Sequence, residues 1–229
     1  MRLVKFDITR VEGYPFKASA EAKEEYGSDR EHPILDRYFD ASAPVRYFYW
    51  KKLEMLCDLD EYDGGGTALA AGCGPGVELP TLATGFRKVI ALDLNGDDLE
   101  IARAICRAEN LANVEIVEAD LLDPGEGQDG ADTVFLIDVL EHFPDPAPAV
   151  ESVYRLLPEG GKLVMVAPTE NRLNDWLRRA LGYSKPATHY HDSRALEQAA
   201  RRRFRLARKV RPFGLPRALS LSEIFLFVK

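Results

Sequence analysis

From about residue 66 onward, short apolar runs bounded by turn residues alternate with helical patterns, and the first run ends in a cluster of glycines. The runs are Thr67–Ala71, Lys88–Asp93 (KVIALD), Val114–Val117, Thr133–Asp138 (TVFLID) and Lys162–Ala167 (KLVMVA). Each is short and aliphatic or β-branched, as strands buried on both faces are. Helical patterns fill the gaps: Gly76 to about Thr84, Asp97–Asn110 with Leu99, Ala102, Ile105 and Cys106 at helical spacing, and Ala147–Leu157 ahead of the Pro158–Gly161 turn. Such alternation predicts a parallel sheet covered on both faces. The end of the chain departs from it. Arg203–Arg211 alternates in apolar content, with Phe204, Leu206 and Val210 able to face inward, and Ile224–Val228 is a last apolar strand. With no helix of good length between them, these two predict an antiparallel pair at the sheet edge.

The first 60 residues differ in character. Residues 17–31 are dense in charge and predict a mobile helix or loop. Tyr38–Cys57 predicts one or two helices broken near Pro44, carrying Tyr38, Tyr47, Phe48, Tyr49 and Trp50 either against the sheet or as a lid over a ligand. Gly64–Gly66 reads as the hinge, giving a helical cap over 1–63 and an α/β domain over 64–229. No apolar run approaches the ~18–20 residues that span a bilayer, and the N-terminus lacks the apolar core of a signal peptide. A cytoplasmic protein is expected. Cys57, Cys73 and Cys106 show no metal-ligand spacing and read as reduced thiols.

Charge is unevenly placed. Residues 1–171 carry 16 Lys/Arg against 33 Asp/Glu, whereas residues 172–217 carry 13 against 3. An acidic body argues against stable nucleic-acid binding. The basic segment, with Trp176, Leu177, Leu181 and Tyr183, suits either a solvated helix or contact with an anionic partner or membrane surface.

The chemistry-bearing stretch begins at ALAAGCGPG, Ala68–Gly76. Gly72, Gly74 and Gly76 let the backbone turn and approach a ligand closely, and the helix that follows presents free amides to a carboxylate or phosphate. The dinucleotide fingerprint requires a third glycine at position 77, where Val77 stands. Asp93 ends the second strand, 21 residues after Gly72. An acid there suits two vicinal ribose hydroxyls, and it also suits capping of the next helix. Asp120 follows the third strand, and Asp138–His142 (DVLEH) closes the fourth.

Taken in order, Gly72-x-Gly74-x-Gly76, Asp93, Asp120, DVLEH and Leu157–Gly161 resemble the motifs of class I S-adenosylmethionine (SAM) dependent methyltransferases. The wording is nearest to quinone-biosynthesis and related small-molecule members. The resemblance covers about residues 64–167. It implies a Rossmann-like, seven-stranded mixed sheet, parallel but for one antiparallel C-terminal strand, with helices on both faces and an N-terminal helical cap. It implies SAM as cofactor, with S-adenosylhomocysteine as product, held by Ala71, Gly72, Cys73, Gly74, Gly76, Asp93, Leu94, Asp120, Leu121, Ile137 and Asp138. Ala70 departs from the pattern, because an Asp or Glu usually stands two residues before the first glycine. That departure predicts weaker cofactor binding.

Methyl transfer from a sulfonium needs an aligned nucleophile and, for a hydroxyl, a base near neutral pKa. His142, just past the fourth strand, and His189, after the fifth, are the candidates; His191 and His32 are weaker ones. No metal is expected, because Glu141 and His142 are adjacent rather than spaced i, i+4. The expected acceptor is an O or N, less readily a C, of a small-molecule or lipid-linked compound, anionic or membrane-associated. A non-catalytic SAM-binding regulator or partner subunit is the alternative, with an RNA methyltransferase and a nicotinamide dehydrogenase behind it.

Overall fold

The computed structural model describes residues 1–16, 33–125, 130–180 and 188–229. The charged residues 17–31, with His32, Leu181 and Tyr183, lie outside the described residues. Among the described residues seven strands, β1 (Thr67–Ala71), β2 (Lys88–Asp93), β3 (Val114–Glu118), β4 (Thr133–Ile137), β5 (Lys162–Pro168), β6 (Arg205–Val210) and β7 (Ser222–Val228), are ordered β3-β2-β1-β4-β5-β7-β6. The chain divides into two compact units, Met1–Asp120 and Leu121–Lys229.

In the first unit, α1 (Pro33–Phe39) and α2 (Ala43–Cys57) precede β1 (Thr67–Ala71), α3 (Leu79–Leu82), β2 (Lys88–Asp93), α4 (Gly96–Ala108) and β3 (Val114–Glu118). β2 pairs in parallel with both β1 and β3, so Leu69 sits opposite Ile90 and Ala91 opposite Ile116. β1 and β2 are buried along most of their length, as expected, whereas β3, with Glu115 and Glu118 exposed, lies at the sheet edge and is not buried on both faces. α4 starts where the Asn95 side chain accepts hydrogen bonds from the Asp97 and Asp98 amides. Asp97 and Asp98 in its first turn and Arg107 in its last complement the helix dipole. The helix predicted from Gly76 to Thr84 shrinks to Leu79–Leu82 because the glycine loop takes up the residues before it.

The aromatic stretch packs largely within this unit. Tyr38 and Trp50 are buried, and the Trp50 indole N–H donates to the Tyr38 carbonyl at 2.9 Å. Phe6 and Phe39 complete the cluster, while Tyr47 points to solvent. Of the α2 aromatics, Trp50 belongs to the core, Phe48 and Tyr49 are half-buried and Tyr47 is exposed.

In the second unit, β4 (Thr133–Ile137), α5 (Ala147–Leu156) and β5 (Lys162–Pro168) are followed by α6 (Arg172–Ala180), α7 (Ser193–Ala200), β6 (Arg205–Val210) and β7 (Ser222–Val228). β4 and β5 are parallel. β7 runs antiparallel to β5 and to β6, so it is the one reversed strand and β6 is the edge. α5 buries Ala149, Val150, Val153 and Leu156, one helical face. Two helices, α6 and α7, occupy the basic segment. α7 is capped by the Asp192 carboxylate, which accepts from the Arg194 and Ala195 amides. Trp176 on α6 is exposed. Among the described residues no helix is long and apolar enough to cross a membrane.

Candidate functional site

The first unit builds a loop around one carboxylate. Where β1 ends, the amides of Gly72 and Cys73 both donate to the Leu92 carbonyl, at 2.7 and 3.1 Å. The chain then turns through Gly72, Gly74 and Gly76, all left-handed, with φ of 70°, 50° and 75°. Gly76 has no room for a side chain, since a Cβ there would lie 2.6 Å from Leu79 Cδ1 and 3.0 Å from Ala102 Cβ. At Gly74 a Cβ would meet nothing closer than 3.6 Å, so the constraint there is conformational.

Asp93 ties this loop down. Its Oδ2 accepts from the Gly74 amide at 2.6 Å and its Oδ1 from the Asn95 amide at 2.9 Å. Burial raises its pKa, and the two amides partly oppose that. The helix cap is Asn95, so Asp93 is not the cap of α4. A carboxylate offers about four acceptor directions, so beyond the Asn95, Gly74 and Leu94 amides it keeps capacity for a ligand hydroxyl. Ala71 closes β1, buried, and Ala70 is buried beside it in register with Ala91. Cys73 is buried and its thiol is pushed well up, so it remains a protonated packing group. Leu94, next to Asp93, is exposed, and Asp120 lies exposed beyond β3.

The second unit gathers a set of titratable side chains at the ends of β4 and β5. Leu121, the first of its residues, is buried, and its carbonyl accepts from the Ser152 hydroxyl at 2.6 Å. Ile137 closes β4, and Asp138 follows in the left-handed region, with φ of 54°. A 3-10 turn, Leu140–His142, then buries Glu141 and carries His142. His142 and His189 meet edge to face with ring centres 4.9 Å apart. His142 Nδ1 lies 2.9 Å from the Thr188 hydroxyl, and His189 Nδ1 lies 2.7 Å from Glu170 Oε1. The fold thus joins the two histidines that the sequence marks 47 residues apart. His191 instead approaches the Pro144 carbonyl at 3.0 Å.

Nothing in residue spacing singles out Glu170. It follows β5 with φ of 44°, and its carboxylate accepts two hydrogen bonds from Arg178, at 2.6 and 2.9 Å. The signal that could find it is topological: it sits just past the carboxyl end of a parallel strand, where open α/β sheets place ligands. Burial alone would raise its pKa, but the hydrogen bonds from Arg178 and His189 outweigh that and hold it at about 2. Burial also lowers the pKa of His189, helped by the charges of His142 and Arg178 and opposed by Glu170, so the imidazole is mainly neutral near pH 7. Among the described residues, Glu141, His142 and His189 bring ligand-capable atoms within 4.8 Å of one another. His189 supplies the third group that the adjacency of Glu141 and His142 does not reveal.

A glycine loop after the first strand, an acid closing the second and a reversed final strand are together the arrangement of class I SAM-dependent methyltransferase domains. Residues 69–165 match the methyltransferase domain family. The chain is 31% identical over 163 residues to an uncharacterized 37.1 kDa protein in transposon TN4556 of Streptomyces fradiae, covering 66% of this chain and 45% of that protein. It is 30% identical over 132 residues to the ubiquinone biosynthesis O-methyltransferase of Acinetobacter baylyi, covering 56% of each. The chain thus spans about half the length of these curated relatives. Among solved structures, the N-methyltransferase NodS from Bradyrhizobium japonicum WM9, in complex with S-adenosylhomocysteine, superposes with a TM-score of 0.62 at 18% identity, covering 84% of this chain and 90% of that one. That likeness supports the fold.

Proposed function

We propose that this chain transfers the methyl group of SAM to a hydroxyl oxygen of a small-molecule acceptor. The observation that carries the reading is the Asp93 carboxylate, which anchors the glycine loop and keeps acceptor capacity for a ribose diol. The loop fits such a cofactor: its turn is made by three left-handed glycines, whose backbone a ligand can approach without interference from a Cβ. Leu94, exposed beside Asp93, offers an apolar contact to a planar base. Asp120 is proposed to accept from an exocyclic amine. Gly72 and its neighbours offer main-chain groups to the methionine end, which Ala70 leaves without a carboxylate. Leu121, Ile137 and Asp138 stay proposed contacts from the resemblance alone.

When bound, SAM supplies a methyl group already activated on a sulfonium. The O–CH₃ bond forms as the S–CH₃ bond breaks, and the acceptor proton needs a base. His189 is proposed as that base, with His142 against its ring. The O-methyltransferase named above favours an oxygen acceptor over nitrogen.

A second reading rests on the Glu141, His142 and His189 grouping, whose carboxylate and imidazoles are a donor set for a divalent cation that would polarise the same hydroxyl. Release of S-adenosylhomocysteine in the presence of phenolic and other hydroxylated acceptors tests the function. Release that is abolished in His189→Ala supports the transferase. SAM binding with no release from any acceptor class favours the regulator. Turnover indifferent to EDTA supports the base, whereas turnover lost to EDTA and restored by a divalent ion supports the cation.

A further inference from the structure

We infer that Glu170, clamped by Arg178, is a positioning residue that keeps the Nδ1 hydrogen of His189 on its own side and leaves the Nε2 lone pair for the acceptor. This rests on the proposed transferase reading and extends it to a residue outside every motif that carries the resemblance.

The geometry is that of a carboxylate–histidine pair. Glu170 Oε1 lies 2.7 Å from His189 Nδ1, and the Glu170 and His189 side chains are only 6% and 10% exposed. An ionised carboxylate only accepts hydrogen bonds, so Nδ1 must be the nitrogen that carries the hydrogen. In the neutral ring Nε2 is then the basic atom. Glu170 is itself fixed by the two-pronged Arg178 contact, which accounts for both of its oxygens.

The backbone points the same way. Glu170 holds a left-handed conformation, which residues other than glycine rarely adopt. Neighbouring contacts hold it there. The Thr169 hydroxyl donates to the Ser220 carbonyl at 2.5 Å, and the Asn171 amide group donates to the Ser220 and Arg217 carbonyls at 2.7 and 2.8 Å. Asn171 also accepts from the Asn174 amide at the start of α6, the helix that carries Arg178. The strained residue is thus braced on both sides, and its side chain meets the imidazole.

Among the described residues, the charged and titratable groups around His189 are Glu170, Arg178, His142 and Glu141. In the proposed step, the acceptor O–H proton moves to His189 Nε2 as the oxygen takes the methyl group. The imidazolium that results keeps its Nδ1 hydrogen on Glu170, which stabilises the new charge.

Long-range ¹H–¹⁵N correlation of the His189 imidazole tests the tautomer without any need for turnover. The expected wild-type spectrum near pH 7.5 has a protonated Nδ1 and an unprotonated Nε2, and Glu170→Gln shifts it toward the other tautomer. A wild-type ring protonated mainly on Nε2 would overturn the inference, even if the protein is an active transferase. With turnover in hand, Glu170→Gln should lower kcat about 10²-fold, the lower end of what a positioned base contributes. Acceptor KM and calorimetric SAM affinity should stay within about threefold, and Glu170→Asp should recover part of the loss. Equal kcat in wild type and Glu170→Gln would also overturn it.

Discussion

Asp93 Oδ2 lies 2.6 Å from the Gly74 amide, so the acid that closes β2 holds the middle of the glycine loop. Its other oxygen accepts from the Asn95 amide, so one carboxylate orders the loop and the turn into α4 together. Asparagine at this position has one acceptor oxygen and would turn an NH₂ group toward the second amide. Asp93→Asn should therefore destabilise the fold by about 1–3 kcal/mol, the cost of leaving a buried donor unsatisfied. Urea denaturation of the purified variant checks this, and an unchanged midpoint and slope would contradict it.

Gly74 and Gly76 should respond differently to alanine. Both are left-handed, which alone costs about 1–2 kcal/mol for a side-chain-bearing residue. Only at Gly76 does the new Cβ collide, with Leu79 Cδ1 and Ala102 Cβ, adding about 1–3 kcal/mol of overpacking. Thermal denaturation should rank the wild type above Gly74→Ala and Gly74→Ala above Gly76→Ala. Equal midpoints for the two variants would contradict the packing at Gly76.

Glu170 makes a pH-dependent contribution whose sign is fixed by its depressed pKa. Folding holds it at about 2, against an ordinary glutamate value of 4.5. Its ionisation thus adds stability that is fully present above pH 4.5 and drains away as the pH falls toward 2. Wild type should exceed Glu170→Gln in urea resistance by a margin that is constant near neutrality and narrows below pH 4.5. A margin independent of pH would show that Glu170 is not held ionised by Arg178 and His189.

Much of the fold is legible in the sequence because buried parallel strands carry their signal locally. Thr67–Ala71 and Lys88–Asp93 have the predicted limits, and the other strands begin or end within about two residues of them. The glycine loop is legible for the same reason, since its three left-handed turns need glycine wherever they fall. Asp93 is half legible: its place at the strand end is readable, but the division of labour with Asn95, which caps α4, depends on side-chain geometry. Glu170 is legible only by its place just past the carboxyl end of a parallel strand, not in its role. Its meeting with Arg178 and His189 depends on a left-handed turn after β5 and on α6 folding back, and neither leaves a periodic mark in the chain. The third member of the Glu141, His142 and His189 group is hidden in the same way, by a contact across 47 residues.

Isothermal titration of the purified protein with SAM and S-adenosylhomocysteine, repeated on Asp93→Ala, tests the proposed function most directly. The expected result is saturable binding of both ligands, modest in affinity because Ala70 removes a carboxylate, and weakened at least about tenfold (1.4 kcal/mol) in the variant. NAD, lacking the third glycine of its fingerprint at Val77, should give no binding heat. Absence of binding by the wild type, or equal affinity in Asp93→Ala with its fold intact by circular dichroism, would contradict the assignment of the glycine loop and Asp93 as the cofactor site.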